Sequence, residues 1–311
     1  MITDLIEDFL TNLEVNRGRS FKTADNYRRY MERFYEFAGD ISPQQITGEL
    51  VDKYRLWLAR YEAQNTGELK TVTQSYHLIA LRGFLKFLTK KGIKTLDPSV
   101  IELPKFARKQ VSFLHYDEVS MMLDATDKGG KNALRDRAMI ELFFSSGLRV
   151  SELSNLNRDH INLDRREFMV RGKGSKDRPI FISESASNSV KNYLKSRADN
   201  FPPLFLNTSP NAGKSDNSGD FRRLTPRSIE RIVQKYAKLA GITKHVSPHT
   251  MRHSFATDIL MNGADIRAVQ SLLGHSNIST TQIYTHITDS NLREIHAKYH
   301  TDGNSKPQKN T

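Results

Sequence analysis

The apolar residues of this chain keep one period through its first hundred positions and then change it. Tyr27, Tyr30, Met31, Phe34, Phe37 and Ala38 recur at three- to four-residue spacing, with Arg28, Arg29, Glu32 and Arg33 between them. That is one face of an amphipathic helix. Leu78, Leu81, Phe84, Leu85 and Leu88 make a second stripe, and a weaker one lies around Val51–Tyr61. Gly39 and Gly92 stand where a left-handed cap would close the first two. Residues 1–102 therefore predict an α-helical domain. Residues 103–112 (LPKFARKQVS) are basic and carry Pro104, which disfavours helix before it, so they predict a linker.

The period changes in a second domain, residues 113–300. Asp117–Asp124 and Ala133–Phe144 still read as helices. Phe168, Val170, Ile180 and Ile182 then alternate around RGKGSKDRP, where Gly172 and Gly174 mark a hairpin turn. Residues 207–222 (NTSPNAGKSDNSGDFR) predict a flexible surface loop. Helices return at Pro226–Ala240, Pro248–Met261, Ile266–Leu273 and Ile278–Tyr284, and residues 301–311 read as a mobile tail. The fold class is mainly α with a small β-sheet: a helical N-terminal domain followed by an α+β domain.

Composition narrows the function. A length of 311 residues suits two domains of about 100–200 residues each. The net charge is +12 and the pI near 9.7, which suits a polyanionic partner, because each phosphate contact releases condensed counterions. No cysteine is present, which excludes disulfides, thiolate–zinc sites and thiol catalysis within this chain. The start MITDLIEDFL is acidic, unlike a signal peptide, and no stretch reaches the roughly 18 apolar residues of a membrane span. The expectation is a soluble, cytoplasmic protein.

Residues 247–286 hold the densest chemistry. Ser247 and Pro248 form an N-cap and first-turn pair, which places His249 and Arg252 on one helix face. Gly274 ends the next helix and puts His275 at a corner, and Tyr284 lies near the end of another short helix. Cleaving a phosphodiester needs a nucleophile, positive donors for the phosphorane and an acid for the leaving oxygen. Tyr284, Arg252 and the two histidines can fill such roles together, although a lone tyrosine or histidine in such a place is usually structural. A zinc site is the rival reading, because His249 and His253 have the i, i+4 spacing of metal ligands. Thr250, however, stands where HExxH needs glutamate. Two further elements join the set. SSGLRVSEL (145–153) places Arg149 after Gly147, with Glu152 in ion-pair reach, and Lys173 sits in the hairpin turn.

Taken together, LRVSEL, GKGSKDR, HTMRHSFAT, NGAD, LLGH and TTQIYTH resemble the signature boxes of the tyrosine recombinase (lambda-integrase-like) family, and its Xer branch above all. The resemblance covers about residues 3–299, more loosely in the N-terminal half. It implies a helical core-binding domain and a catalytic domain that close as a C-shaped clamp on double-stranded DNA with a partly palindromic site. It implies that Arg149 and Arg252 hold the scissile phosphate and that Lys173 protonates the leaving 5′ oxygen. His249 would assist proton transfer, His275 would hydrogen-bond the phosphate, and Tyr284 would attack it. No metal, ATP or other cofactor is implied. Segment 290–299 resembles a helix that docks on a neighbouring subunit. Four protomers, alike or paired with a second recombinase, would then assemble on two sites, with a DNA translocase as a possible activator. Chromosome-dimer resolution fits this likeness; integration or excision of a mobile element uses the same boxes, and a binding-only protein of the same fold is a further reading.

Overall fold

The computed structural model describes residues 1–15, 21–63, 67–104, 112–172, 177–209 and 219–274. The chain separates into two compact units, Met1–Arg108 and Lys109–Thr311. Most of the linker reading, the 290–299 helix and the 301–311 tail lie outside the described residues.

The first unit is built on α1 (Ile2–Val15), α2 (Phe21–Ala38), α3 (Gly48–Arg60) and α4 (Thr71–Lys90). The stripes seen in the sequence are its core: Met31 and Phe34 from α2, Tyr54 and Leu58 from α3, and Leu81, Phe84, Leu85 and Leu88 from α4 are all buried. Gly39 and Gly92 adopt φ of 70° and 73° just beyond α2 and α4. One detail differs from the all-helical expectation. β1 (Glu62–Ala63) and β2 (Gly67–Glu68) pair antiparallel, and Gly67 supplies a φ of 68° beside the reversal.

In the second unit α5 (Tyr116–Ala125) and α6 (Ala133–Ser146) are followed by α7 (Val150–Ser154). An antiparallel hairpin comes next, β3 (Glu167–Arg171) with β4 (Asp177–Phe181). Then come α8 (Glu184–Lys195), α9 (Pro226–Leu239), α10 (Pro248–Met261) and α11 (Ile266–Leu273). The core gathers around α6, whose Ala138, Met139, Ile140, Leu142 and Phe143 are all fully buried. Three charged residues of the same helix, Arg135, Asp136 and Glu141, are buried with them. Its buried charges are matched. Arg135 donates to Asp136 through Nε (2.8 Å) and Nη2 (2.6 Å) and to the Leu206 carbonyl (2.8 Å), while the Tyr236 hydroxyl of α9 donates to the other Asp136 oxygen (2.9 Å).

Two sequence expectations change here. The sequence reading names no helix at 184–195, yet α8 forms. Ser183 caps it by accepting from the Ala186 amide (3.2 Å), and Ala186, Val190 and Tyr193 are buried. Nor is 207–222 a flexible loop throughout. The Asn207 amide donates to the Arg222 carbonyl (2.6 Å), and the Phe221 ring packs edge-on against Phe201 (5.6 Å), an apolar anchor within a polar stretch. Residues 210–218 lie outside the described residues. Among the described residues no helix is long and apolar enough to cross a membrane.

The Asp136 network predicts a graded response. Asp136→Ala leaves the Arg135 guanidinium buried without its carboxylate and is expected to cost about 3–5 kcal/mol. Tyr236→Phe removes one hydrogen bond to a charged group and is expected to cost about 2 kcal/mol. Urea unfolding of the two variants should give that order; equal losses would contradict it.

Candidate active site

Four segments of the second unit meet at the carboxyl end of α11. The first is the turn after α6. Gly147 closes that helix at φ 59°, its amide donating to the Phe143 carbonyl (3.0 Å). The chain leaves the turn extended, so Arg149 becomes the N-cap of α7 and Glu152 its third residue. Glu152 reaches back: Oε2 accepts the Arg149 amide (2.7 Å) and Oε1 accepts Arg149 Nη1 (2.8 Å). The ion pair expected from their spacing is present. It also serves as a helix cap, which adds backbone geometry to charge.

The second segment is α10. Ser247 accepts the Thr250 amide (3.2 Å) and Pro248 occupies the first turn, as the sequence predicts. Residues 250–257 are all buried. Arg252 is among them, and its guanidinium crosses to two carbonyls, Nη1 to Gly147 (2.6 Å) and Nη2 to Leu273 (2.6 Å). His249 lies one turn earlier at the surface, its ring edge-to-face with His253 at 4.5 Å. Partial burial, and after it the positive charge of Arg252, lower the His249 pKa below the ordinary histidine value of 6.5, so the imidazole is neutral at pH 7.

The third segment is α11 itself. Asp265 caps its start, accepting from the Arg267 amide (2.7 Å), and Gly274 ends it at φ 61°. A helix end leaves carbonyls that need donors, and its partial negative charge favours cations. Here three successive carbonyls each receive an arginine: Leu272 from Arg178 Nε (3.2 Å), Leu273 from Arg252 Nη2 (2.6 Å) and Gly274 from Arg149 Nη2 (3.2 Å).

Arg178, on β4, is the fourth segment, and the sequence reading misses it. Its guanidinium grips Glu152 in parallel, Nη1 to Oε1 (2.9 Å) and Nη2 to Oε2 (2.8 Å). A signal was available. Arg178 shares strand parity with Ile180 and Ile182 and pairs with Val170, so it faces inward with the apolar row. Burial alone would raise the Glu152 pKa. The bond from Arg178 and those from Arg149 outweigh it, and the carboxyl lies below the ordinary glutamate value of 4.5.

The structure thus brings Arg149, Glu152 and Arg252 together, with His249 on the same helix as Arg252. Arg149 and Arg178 grip Glu152 while Arg252 holds the adjacent Leu273 carbonyl, so three guanidiniums share one carboxylate's worth of negative charge, a positive cluster suited to an anion. Lys173, His275 and Tyr284 lie outside the described residues. Among the described residues no group of three or more His, Asp, Glu or Cys gathers as a metal site would require.

Two predictions follow from the turn and the carboxylate. A Cβ on Gly147 would meet Phe255 at 2.3 Å, whereas one on Gly39, with a similar positive φ, meets nothing within 4 Å. Both alanine variants bear about 1–2 kcal/mol of left-handed strain. Gly147→Ala should lose roughly 1–3 kcal/mol more to overpacking, read by urea unfolding. Glu152 has a depressed folded pKa, so its contribution is full above pH 4.5 and fades as pH falls below that value. Glu152→Gln should therefore be less stable than the parent at pH 7, by a margin that narrows at acid pH; a margin that widens would contradict the assignment.

Residues 112–291 match the model of the phage integrase family, and residues 6–92 that of the phage integrase N-terminal SAM-like domain. The chain is 36% identical to tyrosine recombinase XerD of Oceanobacillus iheyensis, over 96% of this chain and 99% of the relative. It is 35% identical to tyrosine recombinase XerC of Thermodesulfovibrio yellowstonii, over 95% of each. Its fold is similar to the XerH site-specific recombinase in a post-cleavage complex with palindromic difH substrate: TM-score 0.68, 22% identity, 92% of this chain and 82% of that one. With the recombinase boxes, the paired arginines and these relatives in hand, the chain belongs to the phage integrase family and is a site-specific tyrosine recombinase of the Xer branch.

Proposed function

We propose that this chain cuts and rejoins duplex DNA through a covalent 3′-phosphotyrosine at Tyr284. The observation that carries the reading is the convergence of Arg149 and Arg252. They come from different helices, yet donate to the adjacent carbonyls Gly274 and Leu273. Each guanidinium is held by two bonds, Arg149 to Glu152 and Gly274 and Arg252 to Gly147 and Leu273, and two bonds fix the plane of a rigid five-donor fork. Two planes fixed beside one another can take the nonbridging oxygens of one phosphate and stabilise the charge of the phosphorane.

The remaining roles follow the family boxes. The Tyr284 hydroxyl attacks phosphorus as its proton leaves, with His249 assisting. A neutral His249 at pH 7 can accept that proton. The 5′ oxygen departs with a proton from Lys173, and His275, next after Gly274, donates to the phosphate. Glu152 orients Arg149. The free 5′-hydroxyl of a partner duplex then attacks the phosphotyrosine and releases Tyr284, so the number of phosphodiester bonds is conserved and no ATP or metal is called for.

We assign the domains as a core-binding unit over 1–102, a linker over 103–112, a catalytic unit over 113–300 and a tail over 301–311. The XerC and XerD similarity over nearly the whole chain supports chromosome-dimer resolution as the biological task, carried out in the cytoplasm on the nucleoid. The palindromic substrate of XerH supports a partly palindromic target here. The working assembly is a tetramer on two sites, of this chain alone or with a second recombinase, activated by a DNA translocase.

Covalent capture tests the reading. The purified chain is mixed with fragmented host DNA in EDTA, denatured in SDS, and the attached DNA sequenced. Adducts on one short site with wild type and none with Tyr284→Phe are expected. Arg149→Ala or Arg252→Ala should lower adduct yield by about 10²–10³-fold. Tight DNA binding with no adduct would favour a binding-only protein, and cleavage abolished by EDTA and restored by a divalent ion would favour a metal-dependent nuclease.

A further inference from the structure

The roles above leave Arg178 unused, although it is among the most committed side chains of the second unit. It stands on β4 opposite Val170, and its side chain is 9% exposed. A cation placed in an apolar row needs acceptors, because burial removes its water. It finds the two oxygens of Glu152 and the Leu272 carbonyl. Glu152 therefore holds four donors: Arg149 Nη1 and Arg178 Nη1 on Oε1, the Arg149 amide and Arg178 Nη2 on Oε2. A carboxylate gripped on both oxygens from two sides has one orientation. Without Arg178, each oxygen loses a donor and the group can turn with Arg149 rather than restrain it. The same fork ties the hairpin to α11, since Arg178 bonds Leu272 while Arg149 bonds Gly274.

We infer that Arg178 is a positioning residue for Arg149: it locks Glu152, and through Glu152 it aims the Arg149 guanidinium at the scissile phosphate. Arg178 does not touch the DNA. The inference rests on the reading that Arg149 contacts that phosphate. Close packing adds to the lock, since a Cβ on Gly274 would meet Arg178 Cδ at 2.9 Å.

The test uses the full chain and a duplex of the captured site, made with either a natural phosphate or a methylphosphonate at the cleavage position. The methylphosphonate carries no charge, so it needs an arginine less. Arg178→Met should cleave the natural duplex about 10²-fold more slowly, with DNA affinity unchanged. On the methylphosphonate its deficit should shrink to less than about 10-fold, as for Arg149→Ala. Adding Arg178→Met to Glu152→Gln should cost little beyond the single change, because both act through one contact. Equal deficits on both duplexes, or additive losses, would overturn the inference and leave Arg178 a fold residue. Should Arg178→Met fail to fold, Arg178→Lys keeps the charge without the fork; it should be impaired on the natural duplex and recover on the methylphosphonate in the same way. Failure of the recombinase reading is distinguishable, because wild type then forms no adduct. In that case a crystal structure of either Arg178 variant still decides: Arg149 is expected to leave the Gly274 carbonyl, and an undisturbed Arg149–Glu152 pair would overturn the inference.

Discussion

Three consecutive carbonyls at the end of α11 organise the catalytic half of this molecule. Any helix end must satisfy its last carbonyls, and a glycine cap alone would do much of that work. Here the Gly274 cap takes the Gln270 and Ser271 carbonyls, and guanidiniums from α10, β4 and the start of α7 take the next three, at Leu273, Leu272 and Gly274. The consequence is geometric. Elements separated by about a hundred residues in sequence are pinned to one short stretch of backbone, and the residue after that stretch is His275. The helix dipole adds a modest attraction for the same cations.

The arrangement is better understood as placement than as stability. Burying Glu152 with Arg178 removes two charges from water, and the return from such a pair is commonly small. What it secures is a fixed carboxylate, and through it a fixed Arg149. Catalysis of phosphoryl transfer gains most from donors already aimed where charge will develop. The buried Arg135–Asp136–Tyr236 group on α6 and α9 works differently. It joins core helices and contributes to the frame rather than to the site.

Much of this was legible in the sequence, and the reasons are local. Ser247 with Pro248, Asp265 and Gly274 are caps whose preferences depend on neighbouring residues alone, so α10 and α11 begin and end where the sequence predicts. Arg149 and Glu152 were readable as a pair because three residues separate them. Arg178 was not, because its partners are a glutamate on another element and a carbonyl ninety-four residues away. Strand parity showed that it faced inward, but not what it would meet. α8 was missed for another reason: its serines and asparagines are weak helix formers, and burial of Ala186, Val190 and Tyr193 against the core overrides that preference. The same holds at Phe221, where one ring orders the end of a polar segment.

The proposed chemistry requires Arg149 and Arg252 to serve one phosphate. The most direct test is a crystal structure of the Tyr284→Phe chain bound to its captured duplex, trapped before cleavage. The account predicts both guanidiniums within hydrogen-bonding distance of nonbridging oxygens on the same phosphorus, with Glu152 and the α11 carbonyls still holding them. Arginines seated on two different phosphates, or one of them turned away from the DNA, would contradict it.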